Sequence, residues 1–207
     1  MRNRRLSGFD GSARIVRGTL LLLLSGVLLA GNASALEEPA MKAGVFSPAR
    51  LAPDFSLPAS DGSELNLERF RGKVVVLGFG FTSCPDVCPI TLAVLAQARR
   101  KLDELKDELQ VVYITVDPER DDAERMRKYL AAFDPTFIGG TGTDEQLAAV
   151  REEYGIMAKR KLHGDDYSFA HSSFTYLIDR QGKLRALMTY GHTAEDFAHD
   201  FRILLQE

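Results

Sequence analysis

The sequence predicts an α/β domain: a central mixed β-sheet flanked by helices and entered through an N-terminal β-hairpin. Three observations predict it. Lys73-Val74-Val75-Val76-Leu77-Gly78-Phe79-Gly80 and Leu109–Val116 are short apolar, β-branched runs that read as buried strands. Between them Leu92, Leu95, Leu102, Leu105 and Leu109 recur at helical spacing, so strand, helix and strand should form a right-handed parallel crossover. Near the C-terminus, Arg180-Gln181-Gly182-Lys183 is a turn between two further strands, which adds an antiparallel pair to the parallel one.

The chain has 207 residues, enough for one domain with a sizeable core and an additional segment. Its 45% hydrophobic and 27% charged residues are those of an ordinary soluble domain. A net charge of -3 offers no electrostatic footprint for nucleic acid, so no nucleic-acid partner is expected. Residues 1–35 read as a secretory signal peptide or an N-terminal membrane anchor. Arg2, Arg4, Arg5, Arg14 and Arg17 precede the apolar run Thr19–Ala30, and Ala33-Ser34-Ala35 is a small-x-small cleavage pattern. The run is shorter than the roughly 20 residues of a spanning helix. Retained, residues 18–30 would still tether the domain to the membrane with the basic end in the cytoplasm. Either way residues 36–207 are exported, to a bacterial periplasm, where a disulfide persists.

Residues 36–50 read as a linker of small and polar residues, and residues 51–207 as the folded domain. Asp61-Gly62 is a turn between a first strand ending near Leu57 and a second at Glu64–Leu67. Asp121-Asp122 opens a helix reaching about Phe133, and Phe137-Ile138 is a short strand. Thr143-Asp144 caps the helix Glu145–Tyr154. Ala158–Asp166, basic and then acidic, reads as an exposed loop, and Tyr167–Asp179 as a strand entering the core. Leu184–Tyr190 is the return strand, and Thr193 caps a final helix with Phe197, Phe201, Leu204 and Leu205 apolar. This order, ββ, then βαβα, then a short strand and helix, then ββα, is that of a thioredoxin-like fold.

The stretch with the most chemistry is Phe81-Thr82-Ser83-Cys84-Pro85-Asp86-Val87-Cys88-Pro89, which holds the only two cysteines of the chain. It lies on a strand-to-helix turn, where α/β folds place chemistry. Each cysteine precedes a proline, so both should be extended, with Cys88 at the helix N-cap and Pro89 first inside. Unpaired N–H groups and the helix dipole would then favour a thiolate at Cys88. Three readings compete. A structural disulfide would close too small a loop to constrain the unfolded chain much. A redox dithiol fits a cysteine pair after a strand, although such pairs have two intervening residues and this one has three. A two-thiolate metal site would suit Cu(I), whereas structural zinc needs four ligands. The pair itself does not choose between redox and metal.

Two further residues bear on the choice. His171 stands where the chain should pass over the cysteine loop, and two thiolates with one imidazole make a trigonal set suited to copper. From the residues alone, a lone histidine between Ala170 and Ser172 reads first as a strand-edge residue without a ligand role. His163, His192 and His199 read as surface residues. Asp117, at the C-terminal end of the second buried strand, reads either as a turn former before Pro118 or as a charge near the thiols. Ser173 stands where thioredoxin-fold oxidoreductases carry a cis-proline, and no proline follows Pro135.

The cysteine stretch resembles the signature of the Sco/SenC proteins. Val116-Asp117-Pro118-Glu119-Arg120-Asp121, Gly140-Thr141-Gly142-Thr143, and Tyr167 through His171-Ser172 into Tyr176-Leu177-Ile178 are similar to that family's later motifs, in the right order between Pro53 and Asp200. The resemblance implies a copper-binding domain with Cys84, Cys88 and His171 as ligands to Cu(I) or Cu(II). It implies a copper chaperone that helps assemble the dinuclear copper site of cytochrome c oxidase subunit II, with other periplasmic copper carriers as further partners. A thiol-disulfide reductase acting on the oxidase's cysteines is the alternative, with Cys84 and Cys88 as a redox-active disulfide. Asp117 would belong to the surroundings of the site. Many members carry Asp before the histidine, where this chain has Ala170.

Overall fold

The computed structural model describes residues 40–207. The signal peptide or anchor expected over residues 1–35 lies outside them. Among the described residues no helix is long and apolar enough to cross a membrane.

Ten strands and four α-helices follow in chain order: β1 Gly44–Leu51, β2 Leu57–Pro58, β3 Glu64–Leu65, β4 Val74–Gly80, α1 Val87–Arg100, β5 Leu109–Thr115, α2 Ala123–Ala131, β6 Ile138–Gly140, α3 Asp144–Glu153, β7 Ala158–His163, β8 Asp166–His171, β9 Phe174–Ile178, β10 Lys183–Thr189 and α4 Ala194–Gln206. The main sheet has the order β1-β10-β9-β4-β5-β6. β4, β5 and β6 run parallel, and β9, β10 and β1 join antiparallel. β4 and β5 are buried at every residue, as their β-branched composition requires in the middle of a covered sheet. The mixed, thioredoxin-like sheet and the N-terminal hairpin of β2 with β3 are as the sequence predicts.

Helix ends follow local chemistry. Asp122 caps α2 by accepting from Arg125 N–H, and Thr143 and Thr193 form capping boxes with Gln146 and Asp196. The helix expected from Ile90 to Leu109 begins earlier, at Val87, and ends at Arg100; a 3-10 turn, Asp103–Glu108, carries the chain into β5.

Three expectations need correction. Residues 44–50, read as linker, form most of an edge strand. β1 draws its stability from backbone pairing with β10 and buries almost nothing, so it shows no apolar alternation. Pro48, which lacks an N–H, falls where the pairing register shifts between Val45 and Arg50. Ala158–Asp166 is not a loop: β7 pairs with β8 in a hairpin separate from the main sheet. Its charged residues face solvent, and the signal that could have found it is the two-residue Gly164-Asp165 connection, with Gly164 at a φ of 64°. Tyr167–Asp179 is accordingly two strands, broken at Ser172-Ser173.

The start of the domain is fastened to its end. The carboxylate of Asp200, on α4 and 0% exposed, accepts from the N–H groups of Lys42 and Ala43, each at 2.8 Å. A chain beginning at residue 52 would lose β1 and leave that buried carboxylate without its two backbone donors. Compared with a chain beginning at residue 38, it is expected to be less stable by about 3 kcal/mol or more. Urea unfolding followed by circular dichroism would show the lower midpoint.

Candidate functional site

The cysteine loop leaves the C-terminal end of β4 and is closed by two sets of bonds. Cys84 N–H donates to the Phe81 carbonyl, making a tight turn. Asp121, which is 0% exposed, then holds the loop from beneath: it accepts from Thr82 N–H at 2.9 Å, from the Thr82 hydroxyl, and from the Thr115 hydroxyl at 2.7 Å. Arg125 adds bonds to the hydroxyls of Thr82 and Ser83. A buried carboxylate with this many donors is a fixed anchor. In the sequence Asp121 stands out as a helix start and as the end of a family-like motif, and neither discloses this role.

Cys88 is not the N-cap. Asp86 takes that position, and Cys88 sits in the first turn of α1, 1% exposed. Cys84 is half-buried in the loop before it. This reverses the expected roles of the two thiols. Cys84 is lowered to about 5, first by a hydrogen bond from Cys88 and then by the N–H groups of Asp86 and Cys88. Cys88 is pushed up, by serving as that donor and by burial. The Cys88 hydrogen bond, and after it the N–H groups at the helix start, therefore favour a thiolate at Cys84.

His171 ends β8, and its Nε2 lies 3.6 Å from Cys88 Sγ. Its Nδ1 is 2.9 Å from the Ser172 carbonyl oxygen. A carbonyl only accepts, so Nδ1 carries the ring proton and the neutral ring turns the Nε2 lone pair toward the sulfur. The ring also meets Phe81 edge to face, with centroids 6.0 Å apart.

The hairpin that carries His171 is seated on the turn after β5. The carboxylate of Asp117, 1% exposed, accepts from the Tyr167 hydroxyl at 2.9 Å and from Arg120 Nε. The Arg120 guanidinium lies 3.9 Å from the Tyr167 ring centroid, and Arg160 lies 3.5 Å from it. Arg160 is held in turn by Glu119. Phe169 meets Phe81 edge to face. The bonds of Asp117 include neither thiol nor His171, so it reaches the site only by fixing the strand that ends there.

Beneath Cys88 lies Tyr113 of β5, its hydroxyl against the sulfur. The sequence reading missed it, although two glycines in a β-branched strand signal a close approach. Beside the pocket walled by Cys88 and His171 opens a cavity of about 410 Å³, and the two share Thr91, Ser173 and Thr175. The other histidines bond elsewhere: His163 to Ser168 and His199 to Asp200, while His192 lies 3.9 Å from Asp196. Among the described residues no three of His, Cys, Asp and Glu are gathered closely enough to hold a metal as they stand. Cys88 faces His171 and is hydrogen-bonded to Cys84, which is half-buried in its loop.

Residues 45–206 match the profile of SCO1/SenC proteins. The chain belongs to the SCO1/SenC family. It is 39% identical over 138 residues to an SCO2-like protein of Rickettsia conorii, a match covering 65% of this chain and 67% of that one. Two solved Sco structures with copper bound superpose on it. The ScoI of Bradyrhizobium japonicum is 32% identical, with a TM-score of 0.69 over 74% of this chain and 99% of that one. The ScoI of Arabidopsis thaliana is 31% identical, with a TM-score of 0.70 over 76% and 99%.

The asymmetry of this Sco/SenC site makes the thiols separable by alkylation. In the reduced protein Cys84 is expected to react with iodoacetamide well before Cys88. Its rate should be flat above about pH 6 and fall as the pH drops through about 5, because its lowered pKa keeps the thiolate until then. Mass spectrometry of the modified peptides across pH checks both points.

Proposed function

We propose that this chain is a copper chaperone that takes copper between Cys84, Cys88 and His171 and passes it to the dinuclear copper site of cytochrome c oxidase subunit II. The observation that carries the reading is the Nε2 lone pair of His171 facing Cys88 Sγ at 3.6 Å, with Nδ1 committed to Ser172. Two ligand atoms bound to one metal at about 2.0–2.3 Å and roughly 120° apart lie about 3.7 Å from each other. The imidazole and the buried sulfur are thus already spaced as a shared metal would need. Cys84, beside Cys88 on its loop and the readier thiolate, supplies the third donor. Copper is cargo here, so one buried sulfur and one half-exposed sulfur suit both capture and release. Two solved relatives hold copper, which supports copper as the cargo.

Membership of the family supports the oxidase as destination, with other periplasmic copper carriers as exchange partners. The N-terminal segment would export the domain to the periplasm and, if kept, tether it to the membrane. The B. anthracis relative, 26% identical, is a lipoprotein.

The alternative, a thiol-disulfide reductase, draws on a different observation. A half-buried thiol of lowered pKa beside a buried one is the arrangement of an attacking and a resolving cysteine. Ser173, standing in place of the cis-proline of such enzymes, weighs against it.

The reduced protein is expected to bind about one copper per chain and the Cys84–Cys88 disulfide form none tightly, because oxidation removes both sulfurs from the donor set. Equal uptake by both forms, measured by dialysis and metal analysis, would refute the reading. In a second measurement, His171→Ala should weaken copper(II) by about a hundredfold or more, exceeding the usual loss from a mere neighbour of a ligand. Paired with oxidase activity in cells, that variant separates the two functions: lost affinity with normal oxidase points to the reductase.

A further inference from the structure

Tyr113 stands where the copper reading alone requires no tyrosine. Its side chain is 2% exposed in the middle of β5, where a phenylalanine would fill nearly the same volume without burying a hydroxyl. β4 makes room for it. Gly78 faces Tyr113 in the parallel register, and Gly80 follows two residues on. A Cβ on Gly78 would come within 2.9 Å of Tyr113 Cδ2, and one on Gly80 within 1.9 Å of its hydroxyl oxygen. The same Gly80 Cβ would lie 2.7 Å from Cys88 Sγ. Hydroxyl and sulfur therefore meet over one bare stretch of backbone. A phenol is a donor at neutral pH, and a sulfur accepts.

We infer that Tyr113 is a positioning residue for this centre: its hydroxyl, admitted by Gly78 and Gly80, donates to Cys88 Sγ and holds that sulfur toward His171. The inference deepens the copper reading and rests on it for its consequences in the loaded protein. There, a hydrogen bond to a thiolate ligand draws charge from the sulfur and tunes the metal. In the metal-free protein the same bond favours the dithiol over the disulfide, whose sulfurs are poorer acceptors, and so makes the pair easier to reduce.

The test compares Tyr113→Phe with Tyr129→Phe, which removes a buried hydroxyl that lacks a partner and lies in the electrostatic neighbourhood of both cysteines. Each protein is equilibrated with reduced and oxidised glutathione at fixed pH, and free thiols are counted by alkylation. Tyr113→Phe is expected to shift the equilibrium toward the disulfide by roughly five- to tenfold, a potential more negative by about 20 to 30 mV. Its copper(II) form should show the sulfur-to-copper absorption at longer wavelength. Tyr129→Phe should leave the equilibrium unchanged. An unshifted equilibrium in Tyr113→Phe, or an equal shift in both variants, overturns the inference. If the unchanged protein takes up no copper, the chaperone reading fails, while the glutathione equilibrium still decides on Tyr113.

Discussion

His171 rides on a hairpin that shares no strand pairing with the main sheet, so the site depends on how that hairpin is pinned. The pin is Tyr167. Its ring is clamped between the guanidinium groups of Arg120 and Arg160, and its hydroxyl is bonded to the buried carboxylate of Asp117. Such stacks are worth little when exposed and more when desolvated. Here the carboxylate is buried, which makes the arrangement directional as well as attractive. Phe169 and His171 then lie against Phe81, the residue from which the cysteine loop departs. The two halves of the site are thus joined through one aromatic ring and one acidic turn.

The same logic explains the division of labour between the cysteines. Cys88 is immobilised on a helix turn, walled by His171 on one side and Tyr113 on the other. Cys84 is set in a loop whose backbone is anchored at Thr82 by Asp121, leaving the residue after Ser83 exposed enough to exchange ligands. A carrier of the kind proposed must hold its cargo without burying it beyond reach. One fixed sulfur and one accessible sulfur meet that requirement in a way that two equivalent thiols would not.

Much of this was legible in the sequence, and each part that was not has a physical cause. The buried strands β4 and β5, the helix between them and the capped helices announce themselves because burial and capping impose composition. β1 and β7 do not, since an edge strand and a solvent-facing hairpin are stabilised by backbone bonds that any side chain permits. The pair Cys84 and Cys88 and the nearness of His171 were readable from motif order. The reversal of thiol character was not, because it turns on whether the helix starts at residue 87 or 89. Asp121 and Tyr113 were hidden for another reason: their partners lie on other strands, so that only the fold reveals what a buried polar group is for.

The bond between Asp200 and the backbone of Lys42 and Ala43 spans 157 positions of sequence, and β1 closes the sheet against β10. The parallel half of the sheet, β4 to β6, can assemble from contiguous chain. The antiparallel half cannot be completed until the last helix is available. A topology closed by such distant partners folds late and as a unit. As the polypeptide is synthesised from its N-terminus, the first of these segments to form would wait for the last. Premature closure around a half-made chain is thereby avoided by the order of the strands.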